Sequence, residues 1–194
     1  MDGCRRRPDS PGKRDYPNRV LGEVAGADPD QVVRSEAIRG LPGLAAEAKE
    51  PDRASEVVRQ LMMLGRLKEV VVVARENTSP LVRGAVVDLI DDSKSLGSVG
   101  RHAQDASTRL RALARLTDPE EILNVALKAE HTDSAVSALE RIQDPTALSA
   151  IAQRGRNKVA ARRARTRLRE AEEAAQPHHE AVARMSASDR AKAL

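Results

Sequence analysis

Phenylalanine and tryptophan are missing from this chain, and Tyr16 is the one aromatic ring among its 194 residues. Aromatic side chains are the usual platforms for stacked nucleobases, flat cofactors and caged cations, so functions built on such platforms are nearly closed to it. Cysteine is as scarce. Cys4 stands alone in a charged start, MDGCRRRPDS, which excludes an intramolecular disulfide and leaves no second thiol for a metal. The longest unbroken apolar run, Val70 to Ala74, falls far short of the roughly 20 residues that a membrane-spanning helix needs. The start carries charges where a signal peptide has an apolar stretch. A soluble, cytoplasmic protein without a membrane partner is expected.

Site chemistry is also thin. His102 and His131 are far apart, His178 and His179 are adjacent near the C-terminus, and no HExxH, CxxC, EF-hand or Gly-rich phosphate-loop pattern occurs. No metal site, cofactor, catalytic residue or small-molecule substrate is expected, and the chain reads as a non-enzyme.

What is present is unevenly placed charge. Lys and Arg number 33 against 29 Asp and Glu, for a net +4. The first 19 residues are basic and residues 20–153 are net acidic. Residues 154–169 hold Arg154, Arg156, Lys158, Arg162, Arg163, Arg165, Arg167 and Arg169 with no carboxylate among them. Residues 1–27, with Pro8, Pro11 and Pro17 and few large apolar side chains, cannot bury enough surface to offset their ordering entropy and read as a flexible basic arm. Residues 176–194, opening on Gln176 and Pro177, read as a flexible or partly helical tail.

Between these arms, over residues 28–175, the chain repeats itself every 26 residues. Val87, Leu113 and Leu139 correspond, as do Ile90, Leu116 and Ile142, then Asp92, Asp118 and Asp144, then Leu96, Ile122 and Leu148, then Val99, Val125 and Ile151. Backward the register meets Leu61, Leu64, Val70 and Val73, then Ile38 and Leu44; forward it meets Ala164 and Leu168. Units are expected to begin near residues 30, 56, 82, 108 and 134, followed by a terminal helix from about residue 158.

Each unit reads as two short helices. Ile122, Val125, Ala126 and Ala129 follow the spacing of one buried helical stripe. Asp118 is placed to accept from the free amides of a first turn, Pro119 suits the first helical position, and Glu120 and Glu121 complement the positive helix end. Asp144 with Pro145 and Ser79 with Pro80 repeat the device. The partner helices carry Val82, Val86, Val87 and Ile90, or Leu110, Leu113 and Leu116, or Ala135, Ala138, Leu139 and Ile142. Helices of about ten residues are marginal alone in water, so each unit must lean on its neighbours. The predicted fold is all-α, an α-solenoid of about five two-helix units with a 26-residue period plus a terminal helix. One segment resists: LKEVVVVA at Leu67–Ala74 has the composition of a strand, while the register makes it the second helix of a unit. Gly65 and Arg66 replace the capping Asp there, so it should be the least well capped helix.

Segments such as STRLRALARLTDPEEILNVALKAEH and DSAVSALERIQDPTALSAIAQRGRN resemble HEAT-like repeats of the short bacterial kind, and are similar to the repeat region of uncharacterised bacterial HEAT-repeat proteins. The resemblance covers roughly residues 30–170 and implies a helical-repeat fold with a binding role. Phycobilin lyases and a class of alkylpurine DNA glycosylases share related repeats, but the Trp and Tyr that the glycosylases present to a lesion are lacking here.

In solenoids of this type the second helices line the concave surface. One outward column is Glu76, His102, Lys128 and Arg154, and its neighbour is Arg75, Arg101, Leu127 and Gln153. Arg75, Arg101, Lys128 and Arg154 then form a basic ridge leading to Arg156, Lys158, Arg162, Arg163, Arg165, Arg167 and Arg169 of the terminal helix. Like charges at this density cost a helix a few tenths of a kcal/mol per pair, with no carboxylate in that helix before Glu170. The expected partner is a protein with an acidic surface. Sequence-nonspecific nucleic-acid association through the same residues and the basic arm is the alternative, and a lyase is a distant third.

Overall fold

A computed structural model of the chain describes residues 18–174, and every regular element among the described residues is an α-helix. In chain order these are α1 (Asn18–Ala27), α2 (Gln31–Glu47), α3 (Pro51–Met63), α4 (Leu67–Glu76), α5 (Pro80–Leu89) and α6 (Ser93–His102). There follow α7 (Ala106–Arg115), α8 (Pro119–Lys128), α9 (Thr132–Glu140), α10 (Pro145–Arg154) and α11, residues 158–174. No described helix is long and apolar enough to cross a membrane.

The starts keep the sequence period. Helices α4, α6, α8 and α10 begin at residues 67, 93, 119 and 145, and α5, α7, α9 and α11 at residues 80, 106, 132 and 158. The expected caps set them. Asp92 accepts from the Ser95 amide at 2.7 Å, Asp118 from the Glu120 amide at 2.9 Å and Asp144 from the Ala147 amide at 2.8 Å, each satisfying an N–H that has no partner inside the helix. The LKEVVVVA segment is helical, and Arg66 at its start caps nothing with its side chain. The preceding turn explains why it still begins there. Gly65 has φ +70, and the amides of Gly65 and Arg66 bond the carbonyls of Met62 and Leu61, the left-handed closure that favours glycine after a helix.

One apolar cluster runs through the molecule from Ala25 to Ala164. It lies between two rows of helices: α3, α5, α7 and α9 touch in succession, and so do α4, α6, α8 and α10. From α4 onward the chain neighbours that pack extensively are α4 with α5, α6 with α7 and α8 with α9, well ahead of α5 with α6 and α7 with α8. The pairs that pack most closely are therefore offset by half a repeat from the expected units.

Three expectations need correction. Residues 31–47 form the single helix α2, with Pro42 inside it, where two short helices were expected. The register puts Gly40 where later units have Asp92 or Asp118, so nothing caps a separate second helix, and Ala37, Leu41 and Ala45 continue one buried stripe across the junction. Residues 18–27 of the presumed flexible arm are helix α1, because Ala25 is buried and Val24 packs on the core; residues 1–17 and the tail at 176–194 lie outside the described residues. In α7, Leu110 points outward at 41 % exposure while Arg109 turns inward at 5 %. Leu110 belongs to the stripe expected to be buried, and Arg109 takes its place.

Candidate basic binding face

Arginine in this fold has two destinations, and helix geometry decides between them. At the fourth position of α2, α5 and α7, Arg34, Arg83 and Arg109 reach back six residues to a carbonyl at the end of the preceding helix, those of Asp28, Asn77 and Ala103. Arg109 also holds Gln104 O at 2.7 Å and grips Asp133 with both branches, at 3.2 and 2.6 Å. Burial pushes the Asp133 carboxyl up, but the Arg109 hydrogen bonds and the Ser134 amide outweigh it and leave the group below its ordinary range. Arg83 donates to Thr108 Oγ1 at 3.1 Å beside Asp105. That carboxyl caps α7, and bonds from the Ser107 hydroxyl and from the Thr108 amide and hydroxyl hold it well below the usual carboxylate range, with Arg83 adding to the effect.

A second series, Arg115, Arg141 and Arg167, repeats at 26 residues, and each member seals the C-terminal end of the helix one repeat back. Arg115 donates to the Asp88 carbonyl and pairs with Asp91, Arg141 donates to Leu113 O and Leu116 O at 2.5 and 2.6 Å, and Arg167 donates to Leu139 O at 2.9 Å. These carbonyls sit at helix ends, where Leu113 O and Leu139 O accept one local amide each and keep a lone pair free, and they carry the negative end of the helix dipole, so a guanidinium suits both features.

The arginine block is thus partly structural, which corrects the expectation of an unrelieved basic helix. Arg167 caps α9 and Arg165 donates to Ala152 O of α10 at 2.7 Å. Arg156 pairs with Glu130 at 2.5 Å, Arg163 with Glu140 at 3.5 Å and Arg169 with Glu173 at 3.5 Å. The Glu130 and Glu140 carboxylates come from one repeat earlier, where a scan along the helix does not look. Those three pairs are more than half exposed on both sides, and such pairs contribute about 0–1 kcal/mol. Arg156, Arg163 and Arg169 therefore stay available to a partner, whereas Arg167 is committed.

On the row of α4, α6, α8 and α10, the last turn of every helix is basic: Arg75, then Arg101 with His102, then Lys128, then Arg154. Among α3, α5, α7 and α9 only α7 has a basic last turn. Lys128 and Arg154, like Lys158 and Arg162 of α11, are exposed. His102 reports how closely the charges gather. Burial first, then Arg101, Arg75 and Arg156, lower its imidazole pKa against the opposing pull of Glu130. Arg101 is the exception, bonded to Glu121 at 3.0 Å with both side chains mostly buried. Asn124 donates to the other oxygen of that carboxylate. Gly97 makes the room, since a Cβ there would lie 2.5 Å from the carboxylate of Glu121. Glu121, read from sequence as a helix-end charge, is instead the internal partner of a ridge arginine. Lys68 and Lys94, one period apart and both exposed, also lie on this face. They escaped the sequence reading because only last-turn columns were followed.

No protein-family model matches the chain, and no curated protein matches it.

Proposed function

We propose that this protein is a non-catalytic, HEAT-like scaffold, an α-solenoid of about five two-helix units closed by a terminal helix, that binds an acidic protein partner along the face of α4, α6, α8 and α10. Arg75, Lys128 and Arg154 make the contact, with Arg156, Arg163 and Lys158 extending it. The observation that carries the reading is the difference between the rows. A cation in a last turn complements the helix dipole by about 0.3–1 kcal/mol, a gain open to either row, yet it recurs in all four helices of one row and in one of four in the other. A row of aligned positive ends favours an extended anionic partner.

Anisotropy of a fluorescein-labelled oligoglutamate peptide tests this. Binding that weakens with salt and is lost in a Lys128→Ser/Arg154→Ser variant is the expected result; no binding at low salt overturns it. The exposed Lys158 and Arg162 on α11 favour a second reading, sequence-nonspecific nucleic-acid association. It requires retardation of duplex DNA at low salt with a log–log salt slope near −0.9 per phosphate contacted.

A further inference from the structure

The groove between α4 and α6 repeats the one between α6 and α8, with one part missing. Arg101 finds Glu121 twenty residues on, a carboxylate that Asn124, twenty-three residues on from Arg101, steadies from its other oxygen. Shifted back one period, Arg75 meets Ser95 and Ser98 at those offsets, and neither carries a charge. Where Gly97 opens space for the carboxylate, α4 has Val71, so an acid on α6 would not fit even if it were there. Arg75 is left with a 3.8 Å approach to its neighbour Glu76, and its Nε is buried with no hydrogen-bond partner. Burying a donor without a partner costs about 1–3 kcal/mol, a cost that a ligand carboxylate relieves.

The groove around Arg75 encloses about 430 Å³ and is mostly apolar, with Leu67, Val71 and Val72 along the α4 side. Lys68 and Lys94 stand at its rim, and Asp92, its one acidic residue, caps α6. The four-valine run divides between two surroundings. Val70 and Val73 are in the core, while Val71 is half-buried and Val72 is 44 % exposed. Val72 also lines a smaller apolar groove against Pro42 and Ala46 of α2, so the apolar strip continues past α4. The comparable groove at the α2–α3 link mixes Glu47 and Glu50 with Lys49 and Arg53, and its balanced charge selects nothing.

We infer that the α4–α6 groove docks a segment of the partner protein in which a carboxylate sits beside an aliphatic side chain. The carboxylate pairs with Arg75 as Glu121 pairs with Arg101, under the field of Lys68 and Lys94, and the aliphatic group lies on Val71 and Val72. This rests on the proposed binding of an acidic protein and adds where the partner sits and what its sequence must contain.

The test uses the full chain and a fluorescein-labelled peptide of repeating Glu-Leu-Glu, with Gln-for-Glu and Ser-for-Leu controls. Each control, and Arg75→Ser, is expected to bind at least about tenfold more weakly. Lys68→Glu with Lys94→Glu reverses the rim charge at exposed positions without touching the packing, and should give a similar loss. The double variant Val71→Gly/Ser95→Glu copies the Gly97 and Glu121 arrangement onto Arg75, and should abolish binding by supplying the carboxylate from within while the helical circular dichroism is kept. Unchanged affinity in the rim and double variants overturns the inference. If that unchanged binding is instead lost in Lys128→Ser/Arg154→Ser, the general acidic-partner reading survives alone. Failure of the unmodified chain to bind any acidic peptide sinks both.

Discussion

The two rows of helices put their basic side chains to different uses. In the row of α5, α7 and α9, Arg83, Arg109, Arg115 and Arg141 are turned onto backbone carbonyls and carboxylates of neighbouring helices. In the row of α4, α6, α8 and α10, Lys128 and Arg154 face solvent, and Arg101 alone is taken up by a carboxylate of the next helix in the row, Glu121. Composition does not separate them; position within the repeat does. Arg83 and Arg109, near the starts of their helices, look back at the end of the previous one. Arg115 and Arg141, at helix ends, reach the end of a helix one repeat back, and Lys128 and Arg154 make neither contact among the described residues. Arginine count is therefore a poor measure of binding surface in such a fold.

Substitutions break this comparison in order of size. Arg109→Ala strands the part-buried Asp133 and the carbonyls of Ala103 and Gln104; charged hydrogen bonds are worth about 1.5–3 kcal/mol, and urea unfolding should show the midpoint fall by an amount at the top of that range. Arg141→Ser frees the Leu113 and Leu116 carbonyls at the end of α7. A loss of about 1.5 kcal/mol is expected for charged hydrogen bonds at a part-exposed site, read by the same measurement. Acid comes next. Asp105 and Asp133 have folded pKa values below their unfolded ones, so the stability they add is complete above the unfolded value, about pH 4. It is lost as pH falls below that value. Asp105→Asn should lower the neutral plateau of a stability–pH curve and flatten its acid limb, the two proteins converging at low pH. Smallest of all, Lys128→Ser and Arg154→Ser should each change stability by less than about 0.5 kcal/mol while weakening acidic-peptide binding, which is what separates the rows.

Much of this was legible before any coordinates. Asp92, Asp118 and Asp144 announce their helices because a cap acts over two or three residues, and the helical state of Leu67–Glu76 follows from register despite its valines. What stayed hidden needed a neighbour from one repeat away. Nothing local to Arg167 points to Leu139, and nothing local to Glu121 points to Arg101. Leu110 and Arg109 exchange roles for the same reason, since the inward position is fixed by Asp133 on the next helix rather than by hydrophobicity. Residues 31–47 misled because a period was extended through a junction with no capping side chain.

The chain of clips Arg115, Arg141 and Arg167 has a direction. Each fastens backward, so trimming the protein from its C-terminal side uncovers the tail of α9, then that of α7, one latch at a time. Trimming from the other side loosens none of the latches beyond the cut. Such an array unzips by preference from α11, and amide exchange at the end of α9 should quicken first when α11 is removed.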